Sequence, residues 1–214
     1  RLRKRFRKDG LNGFHDYEVL ELILSYSLIR QDTKDISKEL INRFGSLTEV
    51  MNASAAELKE VKGIGERTAL LIKLVREAGD FHLRESIIAE DCIASPQDVY
   101  RYLNFHYQGK FIEEFVVIFL NSANAVIDVE SVFSGTIDRS AIYVRELIKK
   151  VLELKSSAVI LAHNHPSGNL SPSVQDRQVT KKIKRALSYI DVKLIDHVVY
   201  GDGDFYSFQE NNLL

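Results

Sequence analysis

The period of the apolar residues changes once along the chain, and that change constrains the fold more than any other feature. Through residue 82 apolar side chains recur at helical spacing and nothing alternates with period two. Val19, Leu20, Ile23, Leu24 and Leu28 form one stripe behind Asp16, an expected N-cap. Ile36, Leu40, Ile41 and Phe44 form a second, stopped at Gly45. Ser46 to Glu49 and Ser54 to Glu57 are capping-box patterns that open two short helices. A last stripe holds Ala69, Leu70, Ile72, Leu74 and Val75 and is expected to end at Gly79. This reads as a small all-α domain over residues 1–82, and residues 83–95, which lack a clear period, read as a linker.

From residue 96 the texture alternates. Ser95-Pro96 opens a helix through Val99, Tyr102, Leu103 and His106. Residues 113–121 and 125–133 read as strands joined by turn chemistry at 121–124. Ser140 caps a helix through Leu147 and Val151, residues 158–162 form a short apolar strand, and Ser171-Pro172 opens a long helix. Residues 192–200 and 204–208 close as strands around Gly201-Asp202-Gly203. Strands and helices interleaved in this way predict an α/β domain, residues 96–214, with a mixed sheet flanked by helices.

Composition narrows the class. An apolar content of 45% with 28% charged residues excludes dominant disorder in a chain of 214 residues. The longest apolar run, Phe115 to Leu120, cannot span a bilayer, so no membrane partner is expected. Arg1 to Arg5 lack the apolar core of a secretory signal, and a chain starting at Arg is expected to be a trimmed or partial product. The single cysteine, Cys92, excludes an intrachain disulfide framework and a multi-cysteine metal site, and fits a reducing, cytoplasmic setting. The net charge of −1 hides a split: 15 Lys+Arg against 13 Asp+Glu in residues 1–82, then 14 against 17. Six of the first eight residues are basic, either a solvated terminus or a phosphate-attracting arm.

The chemistry concentrates in residues 161–176. His163 and His165 stand two apart at the end of an apolar strand and project to one side of it. Two imidazoles and a carboxylate form a three-ligand zinc set that leaves a position for water. Asp176 lies in the early turns of the following helix, on one face with Ser173, and a loop containing Gly168 can fold that face back onto the two histidines. A bare His-x-His is more often a pair of surface residues, but the full spacing is not so easily dismissed. A nuclease of the HNH type is discounted, because its named residues are dispersed through a ββα unit and Ser173 and Asp176 would have no role.

His-x-His-Pro, six residues, Ser, two residues, Asp is the spacing of the JAMM (JAB/MPN) metallo-isopeptidase motif. With Val132-Phe133-Ser134-Gly135-Thr136 and Asp196-His197 flanking it, the segment His163-Asn164-His165-Pro166-Ser167-Gly168 resembles the bacterial RadC family, over essentially the whole chain. The resemblance implies a JAB/MPN domain with cytidine-deaminase-like layering. It implies Zn²⁺ held by His163, His165 and Asp176, a water activated there, and Ser173 as donor to the oxyanion. It also requires an upstream glutamate as general base. Glu113, Glu114 and Glu130 are the candidates, and Glu113, at the head of the apolar run 115–120, fits that context best. Asn164 receives only a structural role in the loop, and Asp196-His197 either a supporting role behind the ligands or none.

Lys62, Gly63, Ile64, Gly65 and Arg67 sit between two helices and look like the turn of a helix-hairpin-helix module. Glycines permit a tight turn whose N–H groups can meet a phosphate at a helix N-terminus, without reading sequence. A plain helix connector is the alternative, since Glu60 and Glu66 weaken the local positive field. Two functions therefore compete. One is a zinc-dependent hydrolase of a peptide or isopeptide, in the DNA-repair context that the RadC name implies. The other is a non-catalytic, DNA-binding repair or recombination accessory protein with a structural metal.

Overall fold

A computed structural model describes residues 2–29, 31–89, 96–134 and 140–214. Cys92, Ser95, Gly135 and Thr136 lie outside the described residues. The chain divides into two compact units, Arg1–Gly79 and Asp80–Leu214.

The first unit is helical throughout: α1 (Leu2–Asp9), α2 (Asp16–Leu24), α3 (Lys34–Phe44), α4 (Leu47–Asn52), α5 (Ala55–Lys59) and the first part of α6 (Glu66–Ala89). Leu20, Leu24, Leu40, Val50, Leu58, Ile64 and Ile72 supply its buried core. Ser46 and Ser54 cap α4 and α5, each hydroxyl accepting the N–H three residues on at 3.2 Å. Asp16 does not cap α2. His15 holds that position, Glu18 accepts the His15 N–H at 3.1 Å, and the Asp16 carboxylate instead accepts the Leu47 N–H at the start of α4.

Helix α6 does not end at Gly79. It runs on to Ala89, so the first seven positions of the expected linker are helical. The reason is apolar spacing that the mixed charges obscure: Leu83, Ile87 and Ile88 pack into the core of the second unit.

The second unit is a three-layer α/β/α sandwich. Its elements are α7 (Pro96–Tyr107), β1 (Glu114–Leu120), β2 (Val126–Ser134), α8 (Ser140–Leu154), β3 (Ala158–Asn164), α9 (Val174–Ser188), β4 (Lys193–Gly201) and β5 (Asp204–Ser207). The sheet order is β2-β1-β3-β4-β5. β3 and β4 are parallel and the other pairs antiparallel, which makes the sheet mixed. The pleat sorts side chains between the layers. Val116, Ile118, Leu120, Ala158 and Ala162 face α7 and the end of α6, whereas Val117, Phe119, Val159 and Leu161 face α8 and α9. Cover on both faces explains why β1 and β3 are continuous apolar runs rather than alternating ones. No helix among the described residues is long and apolar enough to cross a membrane.

Candidate metal centre

The same pleat places the chemistry. His163 shares the α9 side of β3 with Val159 and Leu161, and His165 follows on that side just beyond the strand. Strand β3 runs two residues further than the apolar run 158–162, so His163 is held within the sheet, paired with Phe115 of β1 and Val199 of β4. His165 is tied by its N–H to the Tyr200 carbonyl at 2.8 Å.

Helix α9 opens at Val174, not at Ser171-Pro172, and Ser173 is its N-cap. A reciprocal capping box decides the start: the Asp176 N–H donates to the Ser173 hydroxyl at 3.1 Å, and the Ser173 N–H donates to Asp176 Oδ2 at 2.6 Å. The cap therefore also sets the orientation of the Asp176 carboxylate.

The structure brings Glu113, His163, His165 and Asp176 together, with one ligand atom from each lying within 4.8 Å of the others. His163 Nε2 is 3.0 Å from His165 Nε2. Each of these nitrogens stands 3.5 Å from an Asp176 oxygen. Both Nδ1 atoms are engaged elsewhere, His163 with His197 Nε2 at 2.8 Å and His165 with the Asn169 carbonyl at 2.5 Å. A carbonyl only accepts, so His165 carries its proton on Nδ1. His197 is fully buried, and burial with the nearby His163 imidazole holds its pKa well below the ordinary value, so it stays neutral. One consistent chain follows. His163 Nδ1–H donates to His197, His197 Nδ1–H donates to Thr180 Oγ1 at 2.6 Å, and the Thr180 hydroxyl donates to the Asp176 carbonyl at 2.5 Å. That leaves the two Nε2 lone pairs facing each other, a repulsive arrangement that a cation between them relieves.

Charge around the cluster agrees. Burial pushes the Asp176 carboxyl up, but the adjacent His163 and His165 imidazoles and the bond to Ser173 outweigh it and hold it well below the usual carboxylate range. His165 is drawn up by Asp176. Burial raises Glu113, and its Oε1 is buried with no hydrogen-bond partner. The donor set, the facing lone pairs and this orphaned oxygen together fit a divalent ion with His163, His165 and Asp176 as ligands and Glu113 beside it.

The other glutamates are elsewhere. Glu114, the first residue of β1, points to the α7 side, where Lys110 bonds its carboxylate and His106 Nε2 lies 3.4 Å away. Glu130 pairs with Lys150 of α8 at 2.6 Å. Asp196 does not back a ligand: it accepts from the Ser207 hydroxyl at 2.5 Å and from the His197 and Gln209 N–H groups, tying β4 to the C-terminal segment. Thr180 and Asn169 were not singled out in the sequence. Thr180 had a signal, four residues after Asp176 on the same helical face, whereas Asn169 acts through its carbonyl and had none.

In the first unit, Lys62, Gly63, Gly65 and Arg67 are exposed before and at the start of α6, while the Ile64 side chain is buried in the core and offers only its backbone. Gly63 has φ +96°, and a Cβ there would meet Ile36 Cδ1 at 2.9 Å. Lys59 pairs with Glu66 at 2.6 Å, and Arg43 pairs with Glu60.

Comparison with known proteins agrees with this architecture. The RadC-like JAB domain family model matches residues 93–213, and the UPF0758 N-terminal family model matches residues 1–70. A UPF0758 protein of Fusobacterium nucleatum is 38% identical, over 100% of this chain and 95% of the relative. A UPF0758 protein of Rhodobacter capsulatus is 38% identical over 100% of both chains. One from Acidithiobacillus ferrooxidans is 35% identical, over 98% of this chain and 94% of the relative. With its helical first unit and its mixed-sheet second unit, the chain belongs to the UPF0758 family and carries a RadC-like JAB domain.

Proposed function

We propose that the chain is a zinc-dependent hydrolase of peptide or isopeptide bonds. The observation that carries the reading is the convergence of His163 Nε2, His165 Nε2 and the Asp176 carboxylate beside an unpartnered Glu113 oxygen. Imidazole and carboxylate suit zinc, which when bound acts as a Lewis acid and brings the pKa of water to about 7. Glu113, raised by burial, removes a proton from the attacking water and passes a proton to the departing nitrogen. The Ser173 hydroxyl accepts the Asp176 N–H and keeps its own hydrogen free to donate to the developing oxyanion. Metal analysis combined with a proteome-wide search for cleavage products tests the reading. The wild-type chain should hold about one zinc, the His163→Ala/His165→Ala variant should lose it, and Glu113→Gln should keep it while all products vanish. Zinc undiminished in the double variant, or products that survive Glu113→Gln, would refute the assignment.

A second reading concerns targeting to DNA by the first unit. It is favoured by the exposed Lys62, Gly65 and Arg67 at the N-terminal end of α6. The pairs Lys59–Glu66 and Arg43–Glu60 remove neighbouring positive charge, so any affinity is modest. If Lys62 and Arg67 contact phosphates, replacing each by Ala lowers the salt slope of DNA binding by about 1. An unchanged slope makes the turn a connector, and the accessory-protein alternative falls with it.

A further inference from the structure

We propose that Asn164, the residue between the two histidines, is the positioning residue that holds Glu113 in line with the metal centre. The inference rests on the reading of Glu113 as general base. Asn164 is 1% exposed, and the pleat turns its side chain away from His163 and His165, toward the α7 side. There its Oδ1 accepts the Glu114 N–H at 2.8 Å, and its Nδ2 donates to the Ile112 carbonyl at 3.1 Å and the Lys110 carbonyl at 3.4 Å. The Ile112 carbonyl belongs to the peptide before Glu113, and the Glu114 N–H to the peptide after it. One side-chain amide therefore pins both peptide planes that flank the Glu113 Cα.

Glu113 needs such a device. The β1–β3 ladder begins at Phe115 paired with His163, so Glu113 lies beyond the last pair. The two residues before it, Phe111 and Ile112, are 75% and 62% exposed and bring little packing to hold it. Misplacement of a base by about 1 Å is enough to cost ~10²-fold in rate. The arrangement is economical: one three-residue run carries two ligands on one side and the brace for the base on the other.

The test uses the full chain, loaded with zinc or cobalt(II). Asn164→Ala should retain the metal with a loss of affinity smaller than the ~10-fold expected when a ligand's own support is removed. Exchange of the Glu114 amide should rise roughly fivefold or more. The visible absorption of the cobalt-loaded chain should move in the direction taken by Glu113→Gln, whereas Phe111→Ala, a change in the same loop, should leave it at wild type. Asn164→Asp keeps the acceptor for the Glu114 N–H and gives up the donor, so its exchange rate and spectrum should fall between Asn164→Ala and wild type. A wild-type spectrum in Asn164→Ala, or metal loss matching His163→Ala/His165→Ala, overturns the proposal. A wild-type chain that takes up neither metal refutes the metal reading instead. Glu114 exchange in the metal-free chain then stands as the separate measure of whether Asn164 holds the segment.

Discussion

His163, His165 and Asp176 each have two polar ends, and in all three one end is committed to the protein. His163 and His165 spend Nδ1 on His197 and on the Asn169 carbonyl, so Nε2 is left to face the site. Such support fixes the tautomer as well as the ring angle. Thr180 is the sharpest point at which to disturb it, because it relays between His197 and the Asp176 carbonyl without being a ligand. Thr180→Val keeps the shape and deletes both bonds. Zinc affinity, measured by competition with a chelator, should fall between ~10-fold and ~100-fold while the fold is kept. An affinity equal to wild type would mean that the chain through His197 has no bearing on the metal. That His163, His165 and Asp176 come together was legible in the sequence because their spacing is local. His197 was not ranked, since its partner lies 34 residues away and only the parallel pairing of β3 with β4 brings the two together.

At the scale of the elements, α9 begins where the site needs it to begin. Ser173 caps the helix, and in the proposed hydrolysis it also donates to the oxyanion, so the two roles can be separated by substitution. Ser173→Ala should cost about 1 kcal/mol in denaturant unfolding, whereas Ser173→Gly should cost only a few tenths, because glycine is an acceptable N-cap. Hydrolysis should drop ~10²-fold or more in both, since neither supplies the oxyanion donor. Equal rates in Ser173→Gly and wild type would confine Ser173 to the cap. The capping box was written in the sequence as Ser173 and Asp176, yet Ser171-Pro172 offered an equally good local start. Reciprocal bonding decided between them, and short-range propensity could not. The extension of α6 was hidden for a related reason: Leu83, Ile87 and Ile88 become an apolar face only against a core formed by residues remote in the chain.

For the molecule as a whole, the α7 side of the sheet carries a second charged network that bears on acid stability. Burial alone would raise Glu114, but hydrogen bonds from His106, Lys110 and Ser131 outweigh it and draw the carboxyl from 4.5 to about 2. The unfolded chain then takes up a proton at this position before the folded chain does. The contribution is present in full above pH 4.5 and disappears as pH falls toward 2. Its size is on the order of 3 kcal/mol. Glu114→Gln should flatten the acid limb of a stability–pH curve by about that amount, and an acid limb identical to wild type would show that the network carries no net stabilisation.

The loop between His165 and Ser173 is fastened chiefly through its main chain. The Gly168 N–H bonds the His165 carbonyl at 2.9 Å, the Asn169 carbonyl receives His165, and Gly168 packs so closely on Gly201 that a Cβ on Gly201 would meet the Gly168 oxygen at 2.7 Å. Ser167 and Pro166 are exposed on this frame. Ser167 adds one weak side-chain bond, its hydroxyl accepting the Asn169 N–H at 3.4 Å. A side chain at Gly201 would therefore press on the backbone of this loop, and the displacement would reach the His165 ring through the Asn169 carbonyl.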